Sequence, residues 1–312
     1  CLEWRGRGLG GGLGLRAAMS SAASGVEAEP FKLALCQLKV TEDKEGNIAN
    51  AVEAVKEAAS NGAAVVVLPE MWNCPYSNDS FPKYAEVLDS GDSPSTKALA
   101  ELAKDLSIYI IGGSIPERLK DRLYNTCCVF SPEGEVVAKY RKCHLFDIDI
   151  PGKITFKESD TLTGGDALTV VDTRYGKFGI GICYDMRFPE MAMIYANRGV
   201  QMIVYPGAFN MVTGPVHWQL LQQARAVDNQ LYVASCSPAR DETASYTAWG
   251  HSQVIGPFAE VVASTEEKPG IVYADIDLKE VQERRQNMPL SKQRRADLYD
   301  LMDCRNSVGF KF

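Results

Sequence analysis

The sequence predicts one large α/β domain with its strands in two packed sheets. Strand-like and helix-like segments alternate from Phe31 to about Asp303. Several of the strand segments are continuous β-branched runs, the pattern of strands buried on both faces. No long linker and no tandem repeat at a solenoid period breaks the alternation.

The elements follow in chain order. Phe31–Lys39 alternates apolar residues in a strand pattern. Asn47–Asn61 has helical spacing through Ile48, Val52, Val55 and Ala59, and Gly62 follows as a stop signal. Ala63–Leu68 reads as a buried strand, Thr96–Leu106 as a short amphipathic helix and Ile108–Gly112 as another buried strand. Leu123–Phe130 and Glu135–Lys139 are two strands joined by Ser131-Pro132-Glu133-Gly134, a turn with Pro and Gly where they fit. The second half offers strands at Leu168–Asp172, Lys177–Cys183, Met202–Tyr205, Leu231–Ser235 and Val254–Ile255. Helices are expected at Pro189–Arg198 and His217–Asn229. A last strand, Val272–Ile276, precedes a charged helix from Leu278 to Arg285, and the basic run Lys292–Arg295 reads as a solvated or partner-contacting tail. The expected divisions are an extension over residues 1–30, a domain over 31–303 and a tail over 304–312. Residues 1–30 read as a disordered extension, either a transit peptide or translation upstream of a start at Met19.

Composition narrows the function. With 33 basic and 40 acidic residues the formal net charge is −7, which argues against a nucleic-acid or membrane-surface partner. No apolar run is long enough for a transmembrane helix. Nine cysteines occur without a Cys-x-x-Cys pair, and His144, His217 and His251 are the only histidines and lie far apart. A zinc site is therefore not expected, and the odd thiol count fits reduced intracellular cysteines. The expected compartment is the cytoplasm, or a chloroplast or mitochondrion if residues 1–30 are a transit peptide. Asn78-Asp-Ser80 matches a glycosylation pattern, but the thiol-rich composition argues against secretion.

Three segments carry chemistry. Gly176-Lys-Phe-Gly-Ile-Gly-Ile-Cys183-Tyr-Asp-Met-Arg-Phe-Pro-Glu190 is an apolar strand ending in Cys183, then a polar turn and a helix. A thiol at such a junction is near the unpaired N–H groups that open the helix, and the N–H of Tyr184 is the natural oxyanion donor. The other reading is a buried structural Cys, and this segment alone does not choose between them. Val65-Val-Val-Leu-Pro-Glu70 places a carboxylate just past a buried strand, as a general base or as a solvated surface acid. Lys139-Tyr-Arg-Lys142-Cys-His-Leu-Phe-Asp147 puts Lys142 after a strand, as an oxyanion-holding ammonium or as part of a basic surface run.

Taken together and in order, Leu-Pro-Glu70, Tyr-Arg-Lys142-x-His-Leu-Phe and Gly-Ile-Cys183-Tyr-Asp-x-Arg-Phe-Pro-Glu190 resemble the nitrilase superfamily, whose catalytic set is Glu, Lys and Cys. Phe146–Ser159 is similar to the active-site loop of its ω-amidase branch, and Tyr205–Asn210, Thr213–Trp218, Arg225–Asn229 and Trp249-Gly-His251 are similar to that branch too. The resemblance implies a four-layer α-β-β-α sandwich, a homodimer, and no metal or organic cofactor. It implies Glu70, Lys142 and Cys183 as the catalytic set, and Glu158 as a second, supporting carboxylate that orients Lys142; the competing reading for Glu158 is an exposed loop acid. Cys143 departs from the bulkier aliphatics common between the Lys and His, a change expected to alter packing rather than chemistry.

The implied substrates, 2-oxoglutaramate and 2-oxosuccinamate, carry a carboxylate distant from the amide. Arg187, one helical turn beyond Cys183, is the candidate partner for that anion, with Thr213 as a hydroxyl donor. The competing reading for Arg187 is a salt bridge with Glu190 or another acid. Another amidase of the same superfamily, or an interaction protein on this fold, are the alternative functions. His144 is expected to brace the site, His217 and Trp218 to cap and pack a helix, and His251 to be structural.

Overall fold

The computed structural model describes residues 29–91 and 93–305. The expectations for residues 1–28 and for most of the 304–312 tail lie outside the described residues. Six strands come first: β1 (Phe31–Gln37), β2 (Val65–Val67), β3 (Tyr109–Ile111), β4 (Ile115–Leu119), β5 (Arg122–Phe130) and β6 (Val136–Arg141). A separate two-stranded ribbon follows, β7 (Asp147–Ile150) and β8 (Ile154–Lys157). Then come β9 (Thr169–Thr173), β10 (Gly176–Ile180), β11 (Met202–Pro206), β12 (Tyr232–Cys236), β13 (Gln253–Ile255), β14 (Val261–Ser264) and β15 (Gly270–Ile276). The first sheet runs β15-β1-β2-β3-β5-β4, with β6 also on β5, and the second runs β14-β13-β12-β11-β10-β9. The middle of each sheet is parallel (β1-β2-β3 and β10-β11-β12), and the flanking pairs are antiparallel.

Side-chain alternation along the strands builds the layers. Leu33, Leu35, Val65 and Val67 point into a core shared with Phe178, Ile180, Met202 and Val204 of the second sheet. Their neighbours Ala34, Cys36, Val66 and Leu68 point the other way. They meet Ala51, Val55 and Ala58 of α1 (Lys44–Ser60) and Leu99, Leu102 and Ala103 of α3 (Pro94–Leu106); the short α2 (Phe81–Tyr84) lies between these helices in the chain. On the far side, α4 (Pro189–Asn197) and α5 (Gly214–Asn229) pack on the second sheet through Tyr195, Trp218 and Ala226. The order helix–sheet–sheet–helix is the expected four-layer α-β-β-α sandwich. α6 (Lys279–Asn287) and α7 (Leu290–Gln293) end the described helices.

Several boundaries differ from the sequence reading for local reasons. α1 starts at Lys44 because Asp43 caps it, its carboxylate accepting from Gly46 N–H at 3.0 Å. α5 starts at Gly214 rather than His217, since Pro215 favours the first turn. β10 ends at Ile180, not Cys183; Cys183–Arg187 forms a 3₁₀ turn ahead of α4. The loop expected over residues 146–159 is instead the β7–β8 ribbon, and β4 and β14 were not anticipated. Among the described residues no helix is long and apolar enough to cross a membrane. All eight described cysteines are free.

Candidate active site

Glu70, Lys142, Cys183 and Glu158 are far apart in sequence and meet between the two sheets. Each stands just past a strand: Glu70 after β2, Lys142 directly after β6, Glu158 directly after β8, and Cys183 beyond β10. A strand end held by its sheet is a rigid mount, which the next loop residues inherit. The Glu70 mount depends on a close backbone contact. Gly113, at φ +59°, lies so near that a Cβ there would sit 2.1 Å from the Pro69 carbonyl oxygen. Gly207, after β11, likewise admits the Cys183 backbone, 3.2 Å from where a Cβ would be.

Lys142 is the hub. Its Nζ is 2.9 Å from Glu70 Oε1 and 2.8 Å from Glu158 Oε2, and all three side chains are 0% exposed. Asn125, from β5, donates through Nδ2 to both carboxylates, at 2.8 Å to Glu70 and 3.2 Å to Glu158. The Ala208 N–H donates to Glu70 Oε2 at 2.8 Å, the Phe146 N–H to Glu158 Oε2 at 2.6 Å, and the Tyr76 hydroxyl to Glu158 Oε1 at 3.3 Å. Glu158 is therefore an integral member of the cluster, not an exposed loop acid. Glu70 is no solvated surface acid, and Lys142 no part of a basic surface run.

The buried Cys183 thiol feels the charges of both Glu70 and Lys142. Burial first, then the Glu70 charge, push the thiol well above its ordinary value, against the pull of Lys142. Burial also raises the Glu70 carboxyl, with Lys142 opposing and the Glu158 charge adding to it. Burial pulls the Lys142 ammonium down, but Glu158 and Glu70 outweigh it and hold it well above its ordinary value. The cluster thus carries one buried cation against two carboxylates, and taking up one proton would neutralise it.

Cys183 adopts φ +49°, a left-handed backbone that non-glycine residues enter at a cost. Asp185 holds this turn. It is fully buried and accepts from the Ile182 N–H at 2.8 Å, the Tyr140 hydroxyl at 2.7 Å and the His144 N–H at 2.9 Å. His144 Nδ1 lies 2.7 Å from the same carboxylate, so His144 braces the site through Asp185. The Tyr184 N–H belongs to the opening of the 3₁₀ turn, where donors find no carbonyl within the turn.

Two spaces adjoin the cluster. A cavity of about 490 Å³ reaches Glu70, Tyr76, Ala208 and Tyr246 from a rim that includes Lys39, Thr41 and Asp241. A much smaller one, about 10 Å³, is bounded by Cys183, Tyr184, Arg187, Ala208, Phe209, Asn210, Thr213 and Tyr246, with Phe146. Arg187 and Thr213 therefore face the same space as Cys183. Arg187 does not pair with Glu190; its guanidinium lies over Phe209 at 4.7 Å and Tyr184 at 5.4 Å, and its Nε is buried without a partner. Burial lowers its pKa. The Thr213 hydroxyl turns toward Asn210 Oδ1 at 3.4 Å. Trp218 packs as expected, donating to the His251 carbonyl at 2.6 Å, and His251 is structural, stacked on Trp249.

The sequence reading missed Asn125, Tyr76, Asp185 and Tyr246. Asn125 carried the clearest signal, as an amide within a largely apolar strand segment. Tyr76 and Tyr246 stack at 4.5 Å from unrelated loops, a contact with no sequence signature. Among the described residues no group of three or more His, Cys, Asp or Glu side chains could hold a metal.

Comparison with known proteins bears on this arrangement. The chain is 64% identical over 275 residues to the chloroplastic omega-amidase of Arabidopsis thaliana, covering 88% of this chain and 74% of that protein. It is 57% identical to the omega-amidase NIT2 of Homo sapiens, covering 86% of this chain and 96% of the relative. Among solved structures, Saccharomyces cerevisiae Nit3, a member of branch 10 of the nitrilase superfamily, superposes with a TM-score of 0.79 at 45% identity, covering 86% of this chain and 97% of that one. Residues 32–286 match the model of the carbon–nitrogen hydrolases. With its sandwich and the buried Glu-Lys-Cys cluster at the strand ends, the chain belongs to the carbon–nitrogen hydrolase family.

Proposed function

We propose that this protein is an ω-amidase, hydrolysing 2-oxoglutaramate and 2-oxosuccinamate to the 2-oxo dicarboxylates and ammonia. The observation that carries the substrate class is Arg187. It is a part-buried cation with no carboxylate partner among the described residues, in the space that Cys183 faces. An uncompensated guanidinium beside a nucleophile suits a substrate with an acid at the end away from its amide. The relatives bearing the ω-amidase name support the same reading.

In the proposed reaction Glu70 accepts the thiol proton as Cys183 sulfur attacks the amide carbon. The raised affinity of Glu70 for a proton, from burial and the neighbouring Glu158 charge, suits it as that base. Lys142 and the Tyr184 N–H hold the oxyanion. Glu70 returns the proton to the nitrogen, the C–N bond breaks, and ammonia leaves a thioester on Cys183. Water, deprotonated by Glu70, then hydrolyses the thioester to the carboxylate and restores the thiol. Glu158 keeps Lys142 charged and in place, and Thr213 assists Arg187 with the distant carboxylate. No metal or organic cofactor takes part in this scheme.

Ammonia release from 2-oxoglutaramate, glutamine and a tripeptide-like amide, with Cys183→Ala as control, tests the assignment. Preference for 2-oxoglutaramate is expected; strong preference for the tripeptide-like amide would replace it with another amidase of the family. Arg187→Met is expected to raise KM for 2-oxoglutaramate strongly while sparing an uncharged amide, and equal loss on both would sink the anion role. The proposed assembly is a homodimer, supported by exposed apolar side chains at Leu298, Tyr299 and Met302 near the end of the described chain. A monomer in sedimentation at micromolar concentration would rule that out.

A further inference from the structure

α5 brings His217 against the guanidinium that faces Cys183: Arg187 Nη1 lies 3.2 Å from His217 Nδ1. A guanidinium has donors and no acceptor, so Nδ1 must accept and the ring must carry its proton on Nε2. The position of the ring favours that neutral form. It sits in the first turn of α5, where the positive end of the helix dipole opposes an imidazolium. Burial, and then the Arg187 charge, lower its pKa.

The rest of the Arg187 environment has little directional hold on it. The faces of Phe209 and Tyr184 attract a cation but leave its rotation in the ring plane open. Cys183, Tyr184 and Tyr246 are the other titratable groups near it, and none is a carboxylate. Arg225 of α5 uses its own donors on the Met186 carbonyl at 2.9 Å and the Arg187 carbonyl at 3.4 Å, fixing the backbone of the turn but not the Arg187 side chain. The His217 contact is the one side-chain hydrogen bond that Arg187 makes among the described residues. A long side chain fixed before the ligand arrives loses less entropy on binding.

We propose that His217 is a positioning residue for substrate specificity. By accepting from Nη1 it holds the Arg187 guanidinium so that its free donors meet a carboxylate in the space beside Cys183. The inference rests on the anion-binding reading of Arg187, and a double-mutant cycle separates the two. The variants are His217→Leu, which removes the acceptor, His217→Asn, whose Oδ1 stands near the place of Nδ1, Arg187→Met, and Arg187→Met combined with His217→Leu.

His217→Leu is expected to raise KM for 2-oxoglutaramate roughly tenfold or more, the range for a hydrogen bond to a charged group. It should leave kcat, and KM for butyramide, near wild type. His217→Asn should recover most of the loss. In the Arg187→Met background His217→Leu should change KM by no more than about twofold, because a residue acting through Arg187 has nothing left to act on. The same loss in that background would overturn the proposal, since the ring would then act on the substrate or the fold directly. Equal losses on 2-oxoglutaramate and butyramide, or no difference between the Leu and Asn variants, would also overturn it. If Arg187→Met itself spares KM for 2-oxoglutaramate, the anion-binding reading is what fails. If Arg187→Met raises KM and His217→Leu does not, only the positioning role fails.

Discussion

Replacing Lys142 with Met keeps most of the side-chain stem and volume and removes only the charge at the centre of the cluster. The wild-type ammonium lies 2.9 Å from Glu70 and 2.8 Å from Glu158, with no solvent contact on any of the three. Without it, two carboxylates remain in a buried site with no cation and with each other's charge. Breaking a buried ion pair from one side costs about 3–5 kcal/mol, because the remaining charge is left uncompensated. For a domain of this size that corresponds to a fall in Tm of roughly 10 °C. The penalty should depend on pH, and its sign follows from linkage. With the cation gone, burial and the Glu158 charge raise the folded-state pKa of Glu70 further above its unfolded value, because the opposing Lys142 charge is lost. A raised folded pKa contributes stability that is present below the unfolded pKa and is lost as pH rises through the folded pKa. The variant should therefore approach wild type in acid and fall away toward alkaline pH. Thermal melts of both proteins across about pH 5.5–8.5 measure this, with ammonia release as a parallel readout of lost turnover. A Tm loss that does not change with pH would refute the charge argument and point to packing alone. Retained turnover would refute the role of Lys142 in holding the oxyanion.

Further outcomes follow from the same geometry. Glu158→Gln removes a charge that raises the proton affinity of Glu70, so the acid limb of kcat/KM should move to lower pH; a limb that stays in place or moves up contradicts the assignment of Glu70 as base. Tyr140→Phe deletes a 2.7 Å bond to Asp185 and should lower kcat by roughly tenfold with little change in KM, the cost of one hydrogen bond to a charged group that steadies the nucleophile turn. Gly113→Ala places a Cβ against the Pro69 carbonyl at a positive φ and should abolish most turnover while destabilising the fold by several kcal/mol, on the order of combined strain and overpacking costs. Steady-state kinetics and urea midpoints read both variants, and a wild-type Gly113→Ala protein would show that the Glu70 mount does not depend on this contact.

Local chemistry determined much of this protein before any contact was known. Continuous β-branched runs such as Val65–Val67 announce buried strands because such side chains fit a sheet covered on both faces. The turn at residues 131–134 follows from Pro and Gly at positions that need their dihedrals. The segments holding Glu70, Lys142 and Cys183 were legible because each couples a reactive side chain to a strand end. Tertiary structure alone decided what those side chains are to one another. Only the packing of two sheets turns Glu158 from a loop acid into a partner of Lys142, gives Asn125 two carboxylates to bridge, and leaves Arg187 facing Cys183 rather than Glu190. The strand boundary at Ile180 was misread for the same reason. An apolar run up to Cys183 looks like strand, but Asp185, bonded to Ile182, Tyr140 and His144, draws the chain into a 3₁₀ turn. Backbone preference is encoded within a few neighbouring residues, whereas charge compensation in a buried site is set by groups tens of residues apart, and only the fold brings those together.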